Sequence, residues 1–215
     1  MIVERERETV VELCRDLAAQ GFFAATGGNL ALRVDEAHFA VTPSALDYLL
    51  MTAADVCVLR LADLKPVAGN RAPSVESGLH ARVLRRRRDC GCSIHTHQPA
   101  ASACAVIGEP LDVTDPKRRA VLGPRVPVVG YAPSGTGWLA RKLERALRPD
   151  ADAYLMRNHG VLCCGATPED AALRVRALEA LSLAHLRARI EARPAGAPGR
   201  ERILGLIGQT EIDRS

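Results

Sequence analysis

The chain has 215 residues, of which 47% are apolar and 25% are charged, and its formal net charge is +4. Such a chain can form one sizeable domain, or two small ones, around a core that needs no disulfides. No apolar run approaches the roughly 20 residues that cross a bilayer, and the charged N-terminus lacks the apolar core of a signal peptide, so we expect a cytoplasmic protein with no membrane partner.

Cysteine and arginine are the two unusual residue types. The chain has 7 cysteines, and an odd number without an export signal favours reduced thiols that pack as small apolar side chains. Four consecutive arginines occupy positions 85–88. Aromatic residues make up only 3% of the chain, which leaves little stacking surface for single-stranded nucleic acid, and basic residues at a helix end also complement its dipole. We therefore expect no nucleic-acid partner.

Helix and strand patterns alternate in the first half of the chain. Apolar residues at helical spacing predict a helix over Glu4–Gln20 that Gly21 ends. In "FFAATGGNLALRV" we expect an apolar strand, a Gly-Gly-Asn turn and a second strand. "HFAVTP" and "CVLRL" are typical of two further strands, and "PVAG" of a turn. A helix is predicted to open at Pro73 and Ser74 and to end near Asp89.

The second half continues this alternation. "CGCSIHTH" is typical of a strand, Pro99–Ile107 of a short helix, "VPVVGYAP" of a strand and "GTGWLARKLERAL" of a helix. "AYLMRNHGVLCCG" predicts two strands with a break at His-Gly, and Thr167 is expected to cap the long helix that follows, with Pro168 in its first position. A linker rich in Pro and Gly and a short terminal segment come last. Short strands joined by turns indicate an α/β domain with antiparallel pairing rather than a Rossmann-type sheet.

The stretch "CGCSIHTHQP", residues 90–99, contains two cysteines and two histidines. Side chains alternate between the two faces of a strand, so His95 and His97 share one face. Cys90, Cys92 and Ile94 have the opposite parity and are expected to point into a core layer. This alternation argues against a structural zinc site built on cysteine and histidine together, and no second Cys or His pair lies at a suitable spacing.

Two histidines on one strand face form a two-point clamp for a metal ion, and a catalytic zinc usually takes a third protein ligand. The chain offers His38, His80, His159 and His185 for that position. His159 is favoured because it stands where a strand breaks at Gly160, so its side chain can project from a turn. The alternative is a solvated strand face that carries two polar residues.

A metal site of this kind also needs a proton carrier and groups that hold the substrate. Glu76 is expected in the first turn of its helix, where the dipole favours a carboxylate, either as an acid/base group or as an ordinary residue of the cap region. The turn at Gly28 and Asn29 can present backbone N–H groups to an anion, or be a plain hairpin turn. Ser44 and Ser74 can each hold substrate oxygens or cap a helix.

Six different motifs follow one another along the chain. They are "ATGGNLALRV", "VTPSALDY", "PSVESGLHARVL", "SIHTHQPAASA", "VPVVGYAPSGT" and "YLMRNHGVLCCGATPEDA". Together, over roughly residues 8–190, they resemble the class II aldolase and adducin-head superfamily, whose members include L-fuculose-phosphate aldolase, L-ribulose-phosphate 4-epimerase and methylthioribulose-phosphate dehydratase. The order and number of the motifs make this resemblance much more specific than any one of them.

The resemblance implies a fold and an assembly. It implies a three-layer α/β/α sandwich around a mainly antiparallel central sheet, in a domain that we place at residues 1–190, with a linker and short tail over residues 191–215. Members of the superfamily usually form homotetramers with each active site between subunits, so we expect a homotetramer here.

The resemblance also implies site residues. A divalent metal, usually Zn²⁺, is expected on His95, His97 and His159, with Glu76 as the catalytic acid/base. The positions expected to bind the substrate or its phosphate are Gly28, Asn29, Ser44 and Ser74. The implied substrate is a small carbohydrate-like molecule.

Two kinds of departure from the superfamily pattern concern the substrate. Ala45 stands where a glycine often follows "TPS", and Val75 stands where a second serine often precedes the catalytic glutamate. Aldolases and epimerases of the superfamily also use aromatic residues after the His-x-His strand and near the C-terminus, and here no aromatic residue lies between His97 and Tyr131 or after Tyr154. A phosphorylated fuculose is therefore not assigned as the substrate.

The function expected from these residues is that of a metal-dependent aldolase, which cleaves a ketose or ketose-phosphate-like substrate through a metal-bound enediolate. The alternative is a metal-dependent dehydratase, epimerase or decarboxylase that acts on a related sugar or sugar acid. A non-catalytic, adducin-like role in assembly is the third hypothesis, and the presence of all three histidines and of Glu76 counts against it.

Overall fold

A computed structural model describes residues 3–23 and 27–212 of the chain. The helices are α1 (Glu4–Ala19), α2 (Ser77–Arg86), α3 (Pro99–Ile107), α4 (Pro116–Leu122), α5 (Gly137–Ala146), α6 (Pro168–Glu191) and α7 (Arg200–Ile212). The strands are β1 (Asn29–Arg33), β2 (His38–Val41), β3 (Cys57–Arg60), β4 (Pro66–Ala68), β5 (Cys92–Thr96), β6 (Leu111–Asp112), β7 (Arg125–Val126), β8 (Val128–Val129), β9 (Ala153–Met156) and β10 (Gly160–Gly165).

Eight strands form the central sheet in the order β4-β3-β2-β1-β5-β10-β9-β8. Every neighbouring pair is antiparallel except β8 and β9, which are parallel. Helices α2 and α5 pack on one face, and α1, α3 and α6 pack on the other. The predicted three-layer α/β/α sandwich around a mainly antiparallel sheet is therefore confirmed.

The two faces of the sheet carry separate cores because side chains alternate along each strand. Ile94 and Val161 belong to the core under α1 and α6, whereas Ala31 and Leu162 belong to the core under α2 and α5. Strand β5 lies in the middle of the sheet and is buried throughout. Any polar side chain of β5 must therefore find a partner inside the protein.

Several sequence expectations are confirmed with small shifts at the ends. Helix α1 ends one residue before the predicted limit, and Gly21 follows it with a φ of +73°. Helix α3 covers the predicted residues, and the Thr167 hydroxyl accepts a hydrogen bond from the Asp170 N–H at the start of α6.

Other expectations are wrong. "PVAG" contains the edge strand β4, where Pro66 is tolerated because an edge leaves one side of the strand unpaired. "VPVVGYAP" holds two short strands in different sheets, β7 and β8, which Pro127 separates. The short elements β6 and α4 were not predicted. Phe22 and Phe23 form no strand, and the rest of the apolar strand expected there falls on residues 24–26, outside the described residues.

Helix α2 begins later than predicted. An isolated antiparallel bridge joins Pro43 to Pro73, and the Ser74 N–H donates to the Thr42 carbonyl. This pairing holds the chain extended beside the sheet, so helical hydrogen bonding starts only at Ser77. Glu76 consequently lies at the N-cap position and not in the first turn.

The C-terminal segment forms a 13-residue helix, α7, which contacts α6. Ile203 and Ile207 of α7 pack with Leu183 of α6 and Ala100 of α3. Among the described residues, no helix has both the length and the apolar character that a bilayer crossing requires.

Candidate metal centre

Three histidines converge where β5 ends and β10 begins. His95 lies on β5, His97 follows that strand, and His159 lies in the turn between β9 and β10. The ligand nitrogens of the three rings all lie within 4.8 Å of one another. They form the one metal-type cluster found among the described residues, and His38, His80 and His185 are not part of it.

The backbone at Gly160 allows this convergence. Gly160 pairs with Met156 across the turn, and a methyl group at its Cα would lie 2.6 Å from the Thr96 carbonyl oxygen and against the ring of His97. Any larger residue would therefore push β10 away from β5, or push His97 out of the cluster. The "His-Gly" break in the sequence is thus a packing requirement of the site.

The ring of His95 has a fixed orientation and tautomer. His95 is fully buried, and its Nδ1–H donates to the Val161 carbonyl at 2.7 Å. Burial lowers the pKa of His95 to about 3, against the opposing influence of Glu76. The ring is therefore neutral at physiological pH, and its Nε2 carries the lone pair that a metal ligand needs. Burial likewise lowers the pKa of His97.

The carboxylate of Glu76 faces these rings. Its Oε1 lies 2.9 Å from His159 Nε2 and accepts a hydrogen bond from Ser134 Oγ at 3.1 Å. Its Oε2 accepts a hydrogen bond from Asn29 Nδ2 at 2.9 Å and lies 3.3 Å from His95 Nε2. Burial by itself raises the pKa of Glu76, but the hydrogen bonds from His159 and Asn29 together hold it well below its usual value. Glu76 is therefore ionised.

This donor set fits a divalent metal. The lone pair of His95 Nε2 points at a carboxylate oxygen 3.3 Å away, and His97 Nε2 approaches His95 Nε2 to 2.9 Å. Groups that carry lone pairs repel each other at such distances unless a cation or a shared proton lies between them. Three imidazoles with an open side toward a carboxylate are a combination that catalytic zinc sites use.

Buried polar side chains behind Glu76 form hydrogen bonds with one another and with its carboxylate. His80 is fully buried on α2, one turn after Glu76. Its Nε2 lies 2.6 Å from Asn29 Oδ1, and its Nδ1 lies 2.9 Å from Ser93 Oγ. His80 was one of the candidates for the third metal ligand, and it is not part of the cluster. Its spacing of one helical turn from Glu76 was the one signal in the sequence that it could lie near that carboxylate. Ser134 was not singled out at all, because nothing local links it to Glu76.

Of the expected substrate-binding residues, Asn29 and Ser74 hydrogen-bond to Glu76. The Pro43–Pro73 bridge brings the segments of Ser44 and Ser74 together, and the Ser74 hydroxyl accepts a hydrogen bond from the Glu76 backbone N–H at 3.2 Å. This hydrogen bond closes a local turn before α2, and the N-cap of α2 is Glu76 and not Ser74.

Gly28 has a φ of +89°, and a Cβ there would lie 2.7 Å from the His95 carbonyl oxygen. Asn29 is the first residue of β1 and pairs with His95 in register. The Gly-Gly-Asn segment is therefore not a hairpin turn but the entry into a central strand. It brings the Asn29 amide directly beside the metal-type cluster.

The cysteines take no part in the cluster. All 7 are free and buried, and Cys92 and Ile94 point into the core opposite to His95, as predicted. The prediction for Cys90 was wrong. It packs with Leu162 and Cys164 on the histidine side of the sheet, because β5 begins only at Cys92 and the alternation does not extend back to Cys90.

Comparisons with known proteins identify the family. The chain matches the model of the class II aldolase and adducin N-terminal domain over residues 8–186. It is 32% identical over 163 residues to a 5-deoxy-D-ribulose 1-phosphate aldolase of Bacillus thuringiensis serovar kurstaki, with 75% of each chain covered. It is 26% identical over 201 residues to a methylthioribulose-1-phosphate dehydratase of Pectobacterium carotovorum subsp. carotovorum, with 88% of this chain and 98% of the relative covered.

Solved structures give the same picture. An L-fuculose 1-phosphate aldolase superposes with a TM-score of 0.84 at 27% identity, covering 99% of this chain and 98% of the other. An L-fuculose-1-phosphate aldolase from Thermus thermophilus superposes with a TM-score of 0.75 at 30% identity, covering 89% of this chain and 98% of the other.

Proposed function

The chain belongs to the class II aldolase and adducin N-terminal domain family, and we propose that it is a metal-dependent aldehyde-lyase that cleaves a ketose or ketose-phosphate-like substrate. The observation that carries this proposal is the convergence of an ionised, buried carboxylate with three histidine rings. The relatives include aldolases and a dehydratase, so the type of lyase is part of the proposal.

Class II aldolases depend on a metal, and we propose that His95, His97 and His159 bind it. Zinc is the first choice because the donors are imidazoles with an open side. A divalent metal in this position would act as a Lewis acid that polarises the substrate carbonyl and offsets negative charge on its oxygen as the C–C bond breaks. The protein residues supply the positioning and the proton transfer.

Glu76 is proposed as the proton carrier. In the cleavage direction it accepts the proton of the hydroxyl whose carbon becomes the aldehyde, and it returns that proton to the carbon that keeps the electron pair of the broken bond. Asn29 and Ser134 each donate a hydrogen bond to one carboxylate oxygen. These two donors hold the carboxylate plane in one orientation, which proton transfer over a short distance requires.

Gly28, Asn29, Ser44 and Ser74 are proposed to bind the substrate or its phosphate. They lie on three segments: Asn29 and Ser74 hydrogen-bond to Glu76, and the Pro43–Pro73 bridge brings the segment of Ser44 to that of Ser74. Val75 is 71% exposed at this position and offers no hydrogen bond to a phosphate. Ala45 has a φ of +54°, a backbone conformation that the glycine usual in relatives adopts without strain. Because neither side chain can hydrogen-bond to a phosphate, the substrates to be tested include free ketoses as well as sugar phosphates.

Dehydration of a related sugar phosphate is the second candidate, because the dehydratase relative aligns over 98% of its length. Epimerisation and decarboxylation use the same metal and carboxylate and remain alternatives. A non-catalytic role in assembly would not explain why Glu76 is buried and hydrogen-bonded beside three histidines.

The domain boundary at residue 190 and a homotetramer are also proposals. Analytical ultracentrifugation tests the homotetramer.

The test is a product screen with the purified, zinc-loaded protein over sugar phosphates and free ketoses, with Glu76→Gln as the matched variant. Release of an aldehyde that depends on Glu76 supports the aldolase. Loss of water or release of CO₂ without aldehyde moves the chain to an alternative. Full turnover by Glu76→Gln contradicts the proton role.

A further inference from the structure

A continuous row of buried hydrogen bonds runs behind Glu76, and only its last member, from Asn29 to Glu76, has a role in the reaction as described. It connects Ser93 of β5 to His80 of α2, His80 to Asn29 of β1, and Asn29 to Glu76. All four residues are buried, and both His80 and Ser93 are fully so. A histidine that merely filled this part of the core could be replaced by an apolar residue, yet both of its ring nitrogens have polar partners.

The direction of every hydrogen bond in this row is determined by chemistry. Asn29 Nδ2 donates to Glu76 Oε2, so Asn29 Oδ1 is the atom that faces His80 Nε2. An amide oxygen can only accept, so His80 Nε2 must carry the hydrogen. Burial lowers the pKa of His80 to about 4, so the ring is neutral and its Nδ1 accepts from the Ser93 hydroxyl. One tautomer and one amide orientation satisfy the whole row.

The row ends at Ser93, which lies on a central strand. Ser93 lies two residues before His95 on the same strand, and side-chain alternation puts both on the side of the sheet where Ser93 meets His80 of α2. The hydroxyl of Ser93 therefore sets the ring orientation of His80 from the strand that carries a proposed metal ligand. Asn29 and His80 therefore link Glu76, at the N-cap of α2, to the strand that carries His95.

We propose that His80 is a positioning residue, whose Nε2–H locks the side-chain amide of Asn29 so that Nδ2 faces Glu76 Oε2. Without this donor, the amide of Asn29 is free to turn its oxygen toward the carboxylate, where two acceptors repel each other. Glu76 then loses a hydrogen bond and its fixed orientation. The catalytic consequence rests on the proposed function; the hydrogen-bond direction does not.

The kinetic test compares two variants at position 80. His80→Leu fills a similar volume but has no donor, and we expect kcat to fall about 10- to 100-fold, as for other groups that orient a site from behind, with bound metal unchanged. His80→Gln retains an N–H that can reach Asn29, and we expect it to recover most of the lost kcat. Equal kcat for His80→Leu and the native protein overturns the inference, as does a loss in His80→Gln as large as that in His80→Leu.

A double-mutant cycle with Asn29→Ala separates positioning from a general loss of stability. If His80 acts through Asn29, His80→Leu costs little further kcat once Asn29 is already alanine, and the two effects are strongly non-additive. Additive effects on kcat overturn the inference. Thermal unfolding of each variant serves as the control, since a merely structural role lowers the melting temperature without this dependence on Asn29.

A nuclear magnetic resonance measurement on the full chain tests the hydrogen-bond direction without any substrate. Long-range ¹H–¹⁵N correlations report which ring nitrogen of His80 is protonated, and the His80→Gln spectrum assigns the signals. The expected result is a neutral ring with hydrogen on Nε2. Hydrogen on Nδ1 overturns the inference even in an active lyase, whereas a native protein that turns over no candidate substrate contradicts the proposed function and leaves this measurement valid.

Discussion

Substitution of Gly160 by alanine tests whether close packing of β10 on β5 builds the metal centre. The added methyl group would lie 2.6 Å from the Thr96 carbonyl oxygen, 3.1 Å from Cε1 of His95, and in contact with the ring of His97. Since apolar atoms pack at about 3.5–4 Å, the surroundings must give way by roughly 1 Å. Two of the three proposed ligands border the methyl group directly.

The expected cost has two parts. Overpacking of a filled core costs about 1–3 kcal/mol of unfolding free energy. A misplacement of about 1 Å costs on the order of 100-fold in activity, and we expect zinc affinity to fall by about 10- to 100-fold, as it does when other groups that orient metal ligands are disturbed. Zinc affinity is measured by competition with a chromophoric chelator, and stability by denaturant unfolding of the metal-free protein.

Gly205→Ala on α7 is the matched control. No atom lies within 4 Å of the added methyl group there, and alanine is the better helix former by about 1 kcal/mol. We expect native zinc affinity and equal or higher stability. If Gly160→Ala binds zinc as tightly as the native chain and unfolds at the same denaturant concentration, the packing account of the site is wrong.

Three further outcomes are expected. Glu76→Gln should abolish turnover while zinc content and melting temperature stay close to native, because the amide keeps the shape of the carboxylate but cannot carry the proton; loss of zinc together with turnover would contradict this. Glu179→Gln should lower the unfolding free energy by about 1–3 kcal/mol, since the buried carboxylate accepts the N–H groups of Ala100 and Ala101 at the start of α3; an unchanged denaturation midpoint would argue against that cap. Thiol reagents should label the cysteines only after denaturation, because all 7 are buried and burial raises the pKa of Cys104 to about 11; rapid labelling of the native protein would show that the interior opens.

Local pattern was sufficient for the elements that hold the histidines. Alternation along a strand separated His95 from Cys92 and Ile94, and the His-Gly break pointed to His159. The same rule failed at Cys90, because alternation holds only where the strand exists, and β5 starts at Cys92. Glu76 was predicted in a helical turn and lies at the cap, because the extended pairing of Pro43 with Pro73 delays the helix.

The residues that local pattern missed depend on contacts between distant segments. Ser134 reaches Glu76 from a loop 58 positions away, and no spacing rule predicts that approach. His80 was visible one helical turn after Glu76, but its role depends on β1 and β5 lying side by side, which brings Asn29 and Ser93 to its two ring nitrogens. Pairing between strands, and not the character of any one segment, completes the site.

The most direct test of the central claim is a measurement of zinc content and aldehyde release on the same preparation, before chelation, after chelation and after zinc is added back. The account predicts that the native chain binds zinc and releases aldehyde from a ketose-type substrate, that both are lost together on chelation, and that both return with zinc. It also predicts that His97→Ala neither takes up zinc tightly nor recovers. Aldehyde release at an unchanged rate by the metal-free native protein would contradict the account.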